Sequence, residues 1–378
     1  MSKWVRLGAL VACAAVVPRL WGGYAASSHW QAADAQLELA RSIAARIDSG
    51  VDASSFRTGS ARFDGEWTFG TYLMSTLGLG QAVLAHPEQR ARLAPAMQRS
   101  VERLVAAETN AFGTAAWGRP GLTDLVGGEG HGYLGYANLA LSMLRLVDSS
   151  SSQASLNDQL TDALGSRLEA APHGLFETYP GEAYPSDIAM VAASIALHDC
   201  AVGRPERAFM PAWRARFRRY IDRDSGLLYQ AADARTGSPI DAPRGSGTAI
   251  AVYATAFVDR DLSRELYAAL RRQALSVLGF GMMREYPAGQ RGDGDIDSGP
   301  VLLGVGVSAT GFALAAARLH GDRELFTQLY RTVDLFGVPL RDARGRHFMS
   351  GGPLGNAILL AMTGASFDFQ RRCRGGQP

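Results

Sequence analysis

The stretch 174–187 combines acidic residues with two tyrosines among glycine and proline residues. Glu177 and Asp187 supply the carboxylates, and Tyr179 and Tyr184 supply the rings. Paired carboxylates can divide the roles of general acid and general base, and tyrosines can line a pocket for a sugar or a hydrophobic alcohol. Asp187 also falls in the first turn of a predicted helix, where an acid stabilises the helix dipole. We interpret the stretch as part of an active site, with Glu177 and Asp187 as its acid/base pair.

A second acidic stretch, residues 291–300, alternates aspartates with glycines. Carboxylates at Asp295 and Asp297 would raise each other's pKa if they lie close together, as a general acid requires. The alternation resembles a calcium loop, but its glycine positions and the missing twelfth-position glutamate do not fit an EF-hand. Asp297 is equally suited to cap the helix that follows. We expect supporting or alternative acids here and no metal site.

A glycine-flanked histidine and several aromatic or charged residues complete the candidates. His131 stands at the head of a predicted helix, where a ligand can approach the backbone closely and an imidazole can titrate near neutral pH. We predict that it relays a proton, although a lone histidine is more often structural. Arg284 is a candidate substrate clamp, or equally the partner of Glu285 in an ion pair that holds the loop. The remaining candidates for substrate contact are Asp64, Trp67 and Tyr136.

Several motifs of cofactor and nucleophile chemistry are missing from the sequence. It contains no phosphate-binding loop with lysine, no dinucleotide fingerprint, no zincin helix and no nucleophile elbow. The sequence therefore favours acid/base chemistry without a cofactor.

The composition of the 378-residue chain is that of a globular body. Hydrophobic residues make up 47% and charged residues 20%, with a mean hydropathy of −0.04. These values exclude a disordered tail, a collagen-like fibre and a polytopic membrane protein. The formal net charge is +2 and the basic residues are scattered, so we expect no nucleic-acid partner.

Residues 1–26 follow the order of a secretory signal. A basic start precedes an apolar run over 7–17 and small residues over 22–26 that suit cleavage, while 10–13 faintly resembles a lipoprotein cleavage box. The apolar run is too short to span a bilayer, which takes roughly 20 residues. We expect export, with the protein periplasmic or anchored to the membrane through residues 1–21. An apolar start that packs on the body is the alternative.

The three cysteines are Cys13, Cys200 and Cys373, and their spacing fits neither a metal site nor a redox motif. A disulfide between Cys200 and Cys373 is possible, but the sequence does not decide it.

Apolar residues recur at helical spacing through most of the chain, and sustained strand-like alternation is weak. This pattern predicts an all-α protein. We predict twelve helices, over residues 34–48, 69–86, 91–108, 132–148, 156–171, 185–200, 209–222, 248–259, 261–278, 302–319, 322–334 and 353–363.

Short polar turns alternate along the chain with long loops rich in glycine, proline, aromatic and acidic residues. Helices after long loops are apolar on nearly all sides and must be buried, whereas helices after short turns carry charge on one face and belong outside. Six inner and six outer helices predict an (α/α)6 toroid, a barrel of six helical hairpins, over residues 30–370, with a polar tail at 371–378. All inner helices would begin at one end, where the long loops surround a funnel. A stacked solenoid would need a clearer repeat.

The order of these segments resembles the linalool dehydratase/isomerase family, whose members are (α/α)6 barrels. The resemblance covers roughly residues 60–370. It implies a buried pocket that acts on an alcohol by proton transfer without a cofactor. The best stretches are Gly135–Val147, 174–177 with the helix that runs to Asp199, Asp224–Tyr229, and the acidic glycine loop running into Gly311–Asp322.

This chain departs from the family at the site. The family has two cysteines in the region corresponding to 177–187, and here Glu177 or Thr178 stands opposite one and Asp187 opposite the other. The family's site histidine falls near Tyr136. Paired carboxylates beside tyrosines are equally typical of glycan-active toroids, in which one acid protonates the leaving oxygen. Three hypotheses remain: an alcohol dehydratase or isomerase, a glycoside hydrolase or polysaccharide lyase, and a binding protein without catalysis.

Overall fold

The computed structural model describes residues 2–31, 34–123, 125, 128–296 and 298–373, with the backbone alone for 7–12, 14 and 15. The described residues form mainly α-helices, together with three short hairpins. The helices are α1 (Lys3–Trp30), α2 (Asp34–Ser49), α3 (Ala61–Ala85), α4 (Arg90–Leu104), α5 (Ala111–Trp117), α6 (Leu134–Val147), α7 (Ala154–Ala170), α8 (Pro185–Ala201), α9 (Met210–Phe217), α10 (Gly245–Thr255), α11 (Arg260–Arg272), α12 (Val307–Leu319), α13 (Arg323–Gly337), α14 (Gly352–Thr363) and α15 (Asp368–Cys373). The strands are β1 (Ala274–Val277), β2 (Phe280–Met283), β3 (Val301–Leu302), β4 (Val305–Gly306), β5 (Pro339–Asp342) and β6 (Gly345–Phe348).

A closed ring of helices forms the centre of the molecule. Around the ring, α3 packs against α6, α6 against α8, α8 against α10, α10 against α12, α12 against α14, and α14 against α3 again. Helices α2, α4, α7, α9, α11 and α13 alternate with the ring helices along the chain. This is the (α/α)6 toroid, and it confirms the predicted fold class.

The ring and outer helices differ in sequence because they differ in burial. Every residue of α10, from Gly245 to Thr255, is buried, and its residues are small or apolar. In α11 only one face is buried, including Leu262, Leu266 and Leu270, while arginines occupy the exposed face. An element that packs on all sides can carry few polar side chains, whereas an outer helix needs only one apolar stripe. The two sequence classes therefore place the helices in two layers.

Several boundaries differ from the sequence prediction. Helix α3 begins at Ala61 instead of 69, and α12 begins at Val307 instead of 302. The helix predicted over 261–278 ends at Arg272, and β1 and β2 follow as an antiparallel hairpin. Local turns override helical periodicity here, because two-residue hairpin turns at Leu278–Gly279 and Leu303–Gly304 reverse the chain.

Three helices lie where none was predicted, the first of which is α1. Helix α5 lies mostly within a predicted loop, and α15 spans the predicted boundary between the barrel and the polar tail, at residue 370. Residues 374–378, the rest of the predicted polar tail, lie outside the described residues.

The N-terminal helix α1 packs its second half onto the barrel. Ala25, Ala26 and His29 are buried, and a Cβ on Gly22 would lie 3.2 Å from the backbone of Arg331 in α13. The region predicted to suit cleavage is therefore part of a packed interface in the full chain. No helix among the described residues has the length and hydropathy needed to cross a membrane. Export and cleavage stay predictions.

A disulfide joins the last helix to the ring. It links Cys200 at the end of α8 to Cys373 in α15, with 5.0 Å between the two Cα atoms and 173 residues between the cysteines in sequence. The third cysteine, Cys13, is free and exposed. Because a cross-link over a long segment restricts the unfolded chain, the disulfide stabilises the fold.

Replacing both Cys200 and Cys373 with serine should lower the free energy of unfolding by about 2–5 kcal/mol. Denaturation of the oxidised proteins measures the change, and Cys13→Ser is the matched control with no expected effect. A double variant as stable as the parent would show that α15 docks without help from the disulfide.

Candidate functional site

The long connections meet at the end of the ring where the inner helices begin, which we call the open end of the barrel. The indole of Trp117 donates to the carbonyl of Thr178 over 3.2 Å, which joins the connection before α6 to that before α8. Ala183, before α8, pairs with Ala232 in the connection before α10. Arg244, just before α10, forms an ion pair with Asp295 in the connection before α12. The side chains carried by these connections therefore share one end of the barrel.

Asp187 occupies the first turn of α8 and faces α6. Its carboxylate accepts a hydrogen bond of 2.8 Å from the hydroxyl of Tyr136. Burial raises the pKa of Asp187 from 3.8 to about 6, hydrogen bonding by Tyr136 and Thr178 works against this rise, and the nearby charge of Glu66 adds to it. Since the residue keeps partial exposure to solvent, Asp187 is a carboxyl group that can exchange a proton in the physiological range.

Glu66, in the second turn of α3, is the carboxylate that the structure brings near Asp187. Its Oε1 accepts hydrogen bonds from the Tyr179 hydroxyl at 2.8 Å and from Nε of Arg62 at 3.1 Å. The guanidinium of Arg62 also lies over the ring of Tyr179, 4.3 Å from its centroid. Both hydrogen bonds use Oε1, so neither holds Oε2. The carboxylate pair of this site is thus Asp187 with Glu66.

Aromatic rings surround this pair. Tyr179 stacks on Tyr133 with 6.0 Å between centroids and an angle of 9°, and Phe112 packs against both rings. Burial raises the pKa of Tyr179 well above its usual value, and the charge of Glu66 adds to the rise, so this hydroxyl remains a hydrogen-bond donor. Trp67, one residue from Glu66, packs edge-on against Phe56 at 5.8 Å. Tyr179, Tyr133 and Phe112 together form an aromatic wall beside Glu66, and a role for Trp67 in substrate binding stays a prediction.

Glu177 contributes its backbone to the site. Its carbonyl accepts a 3.0 Å hydrogen bond from the amide of Gly132. Among the described residues its carboxylate forms no ion pair or hydrogen bond, and it is Thr178 whose side chain reaches Asp187. The carboxylate that acts on Asp187 in the structure is Glu66, and the pairing of Glu177 with Asp187 stays a prediction.

Asp64 and Tyr184 have local partners. Asp64 accepts hydrogen bonds from the amide and hydroxyl of Thr58, at 2.9 and 2.8 Å, which fasten the loop before α3. The Tyr184 hydroxyl donates to Glu182 over 2.9 Å. These contacts stabilise the loops, and roles for both residues in substrate binding stay predictions.

His131 is fully buried beside the aromatic wall. Its ring stacks on Trp117 at 4.4 Å between centroids, and Nδ1 lies 3.0 Å from the carbonyl of Glu129. Burial lowers its pKa, so the ring is neutral at neutral pH. The backbone φ of +58° places His131 in the left-handed region, a strained conformation outside glycine. A neutral imidazole can still pass a proton, and the relay stays a prediction.

The acidic stretch 291–300 lies near the start of α10. Burial alone would raise the pKa of Asp295, but hydrogen bonds from Ser298 and the charge of Arg244 outweigh it and lower the pKa. Asp295 therefore serves as an ion-pair partner, against the expectation of a general acid with a raised pKa. Asp297 lies outside the described residues. The backbone amide of Arg284 donates to the carbonyl of Gln273 at 3.1 Å, which fixes the loop.

Glu285 is a buried carboxyl that the sequence analysis placed only in a loop-holding ion pair. It accepts a hydrogen bond of 2.5 Å from Ser246 in the first turn of α10, and no described residue bonds its Oε2. Burial raises the pKa of Glu285, and the Ser246 hydrogen bond and the charge of Arg244 oppose the rise. A second proton-binding carboxyl thus lies at the same end of the ring.

No group of three metal-ligating side chains occurs among the described residues.

Glu66 was missed as a site residue because the start of α3 was placed too late. With α3 predicted from 69, residues 61–68 read as loop, and Asp64 and Trp67 were chosen from it. The signal that could have found Glu66 is its spacing of four residues from Arg62, which fits a helical ion pair.

Comparison with known proteins finds solved structures of similar backbone. Two of them are a GH76 α-mannanase from Bacteroides thetaiotaomicron, with 10% identity and a TM-score of 0.43 over 80% of this chain and 86% of that one, and a polysaccharide lyase, with 12% identity and 0.35 over 71% and 90%. No family model matches the chain, and no curated protein matches it. Similarity at this level says nothing about the substrate of this chain.

Replacing Asp187 with asparagine should stabilise the protein above pH 6. The carboxyl has a pKa of 3.8 ordinarily and about 6 in the fold, so the folded state binds the proton more tightly and stability falls as pH rises from about 4 through 6. We expect D187N to gain about 1–3 kcal/mol at pH 8 and little at pH 3.5. Urea denaturation at both pH values measures this, and an equal effect at both would refute the raised pKa.

Two neighbours should move the pKa of Asp187 in opposite directions. Y136F removes a hydrogen bond to the charged form and should raise the pKa, whereas E66Q removes a nearby negative charge and should lower it. Carbon-detected NMR titration of the Asp187 carboxyl reports both shifts. Shifts of the same sign would show that the two side chains do not act on Asp187 as described.

Proposed function

We propose that the protein is a cofactor-independent enzyme that cleaves a C–O bond of a glycan by acid/base catalysis. The observation that carries this proposal is the carboxyl group of Asp187, which has a pKa of about 6. It lies near a second carboxylate, Glu66, at the open end of the barrel. Two carboxyl groups in different environments are the equipment of glycoside hydrolysis.

Asp187 supplies the proton in this mechanism. Below its pKa of about 6 the group is neutral, and it donates its proton to the leaving oxygen as the glycosidic bond breaks. The carboxylate that results keeps the hydrogen bond from Tyr136, at 2.8 Å. This hydrogen bond offsets part of the cost of leaving a charge in a buried place, because it favours the ionised form.

Glu66 supplies the second carboxylate. Arg62 and Tyr179 fix its orientation through Oε1, and Oε2 is the oxygen to attack the sugar carbon or to take a proton from the attacking water. Replacing either holding group would change the direction of Oε2 without removing the carboxylate, so both are positioning residues.

The aromatic wall fits a sugar ring. Tyr179 is the partly exposed ring of this wall; it donates to Glu66, and the buried Tyr133 stacks on it. Pockets that bury a ligand are lined by such rings, while a few polar groups fix its orientation. Substrate binding by the wall and proton transfer by Asp187 then occur at one place.

A second candidate, dehydration or isomerisation of an alcohol, is favoured by one observation. The linalool dehydratase/isomerase resemblance places Glu177 or Thr178 opposite one site cysteine, Asp187 opposite the other, and the site histidine near Tyr136. In the structure Tyr136 and Thr178 both interact with Asp187. The same acid could protonate the hydroxyl of an alcohol. The aromatic wall would then hold a hydrocarbon chain instead of a sugar.

Turnover of a glycan panel tests the proposal. We expect release of reducing ends and a loss of about 10²–10⁴-fold in D187N, the typical contribution of a general acid. D261N is the matched control, because Asp261 lies exposed on the outer helix α11. Ultraviolet-absorbing unsaturated sugars would identify a lyase, and turnover of a monoterpene alcohol would support the second candidate. Binding of glycans without any turnover would leave a non-catalytic binding protein.

The rate of the hydrolase should fall as pH rises above about 6, since the catalytic form of Asp187 carries the proton. The pH dependence of kcat measures this limb. The Y136F variant should extend activity to higher pH, and an alkaline limb unchanged in that variant would assign it to another group.

A further inference from the structure

Large apolar side chains exposed to solvent are concentrated in two parts of the described chain, with Ile240 the single exception. The first part is α1, through Trp4, Val5, Val16, Val17, Leu20, Trp21 and Tyr24. The second, which we name the apolar rim, comprises Val277, Leu278, Leu302, Leu303, Val307, Leu335, Phe336, Val338, Leu340 and Met349. An exposed apolar surface of this extent marks a contact with a partner or a membrane.

The rim lies at the open end of the barrel. Its residues belong to the connections before α12 and α14, to the first residue of α12 and to the end of α13. The rim therefore borders the same end of the ring as Asp187 and Glu66.

Helix α1 points toward the rim and past it. Trp30 packs against Phe326 near the start of α13, and Gly22 packs against Arg331 farther along, so the two helices run in opposite directions. From Gly22 back to Lys3, α1 extends by about 28 Å, whereas α13 continues for only about 9 Å beyond Arg331. The first half of α1 therefore projects beyond the barrel on the side of the rim.

Two rim leucines stand in a conformation that leucine disfavours. Leu278 and Leu303 begin the two-residue turns of the β1–β2 and β3–β4 hairpins, each with a φ of +53° and each followed by a glycine. Asparagine, aspartate or glycine is the favoured residue at such a position. The side chains are 66% and 102% exposed, so packing within the fold does not account for them. Strain at an exposed apolar tip points to a function outside the barrel.

A basic pocket adjoins α1 and the first of these tips. A cavity of about 450 Å³ is lined by Arg19, Arg323 and Arg331 with a single acid, Glu324. A Cβ on Gly279 would lie 2.9 Å from Nε of Arg19 and 3.2 Å from Nη1 of Arg331, which brings two guanidinium groups to one turn. None of the three arginines pairs with a carboxylate among the described residues. Helix α1 contains no acidic residue and adds Lys3 and Arg6.

We propose that α1, the apolar rim and the basic pocket bind the surface of an anionic lipid membrane, with a lipid phosphate in the pocket and the leucine tips among the acyl chains. The charges favour a bilayer over an apolar protein partner, because basic groups beside exposed apolar tips match anionic headgroups above hydrocarbon. The open end of the barrel then faces the membrane. This inference goes beyond the proposed reaction and does not depend on it.

Flotation of the full chain with lipid vesicles tests the apolar part of the surface. We expect binding to phosphatidylcholine vesicles that contain phosphatidylglycerol, and binding about tenfold or more weaker for the double variant L278N/L303N, which loses two apolar side chains. Asparagine suits the positive φ of both positions, so the fold is retained, as circular dichroism would verify. Ile240→Asn is the matched control, because Ile240 is exposed outside the rim, and its binding should equal that of the parent.

The charged part has its own variant. R19Q/R323Q replaces two exposed arginines of the pocket. We expect about 30-fold weaker binding to anionic vesicles with little change on pure phosphatidylcholine, since the variant loses two basic groups that are attracted to an anionic surface. Arg235→Gln is the control for a highly exposed arginine elsewhere.

Three results would overturn the proposal. The first is the absence of vesicle binding by the parent chain. The second is self-association lost in L278N/L303N without vesicle binding, which would make the rim an interface between copies. The third is a thermal shift with inorganic phosphate that R19Q/R323Q abolishes, again without vesicle binding, which would assign the pocket to a soluble phosphate.

Discussion

Closure of the inner ring is the constraint on which the other features of the molecule depend. The last ring helix meets the first where Gly78 of α3 faces α14, and a Cβ there would lie 2.8 Å from the backbone nitrogen of Ala361. Between α6 and α8, Gly135 meets the backbone of Val191 at the same distance. Helices can approach this closely only where a side chain is missing. A larger residue at either position would push adjacent helices apart and open the ring.

The closed ring also explains why the titratable groups have unusual pKa values. The body of each inner helix is enclosed by neighbours, so a polar side chain there needs a partner inside the ring, as Asn138 finds in Ser194. Asp187 in α8 and Ser246 in α10 lie instead in first turns, beside the connections. A carboxyl in a first turn is desolvated by the surrounding connections, which raises the pKa of Asp187 to about 6. The same packing leaves Asp187 in reach of α6, where the hydrogen bond from Tyr136 limits the rise in the pKa of Asp187.

The fold was predictable from sequence to a greater extent than the site. Burial on all sides demands small and apolar residues, and α10 shows that pattern so plainly that the ring could be predicted without coordinates. Asp187 could be predicted from its proline-led first turn. The spacing of Arg62 and Glu66 indicates a helical ion pair, but the approach of Glu66 to Asp187 could not be predicted. Glu66 meets Tyr179 across 113 residues of sequence, and local periodicity carries no information on such contacts. The hairpin turns at Leu278 and Leu303 were not predicted, because leucine is not a typical residue at a turn position with positive φ.

The connection between α11 and α12 links part of the apolar rim to the start of α10. It forms both exposed hairpin tips, and between them it carries Glu285. The backbone amide of Glu285 donates to the carbonyl of Gly304 at 3.0 Å, next to the tip residue Leu303, while its carboxyl holds Ser246 at the start of α10. The tip residue Leu303 is therefore separated from the buried residue Glu285 by one residue, Gly304, and one backbone hydrogen bond. This connection therefore ties the rim to the polar groups at the start of α10 through the backbone and the carboxyl of one residue, Glu285.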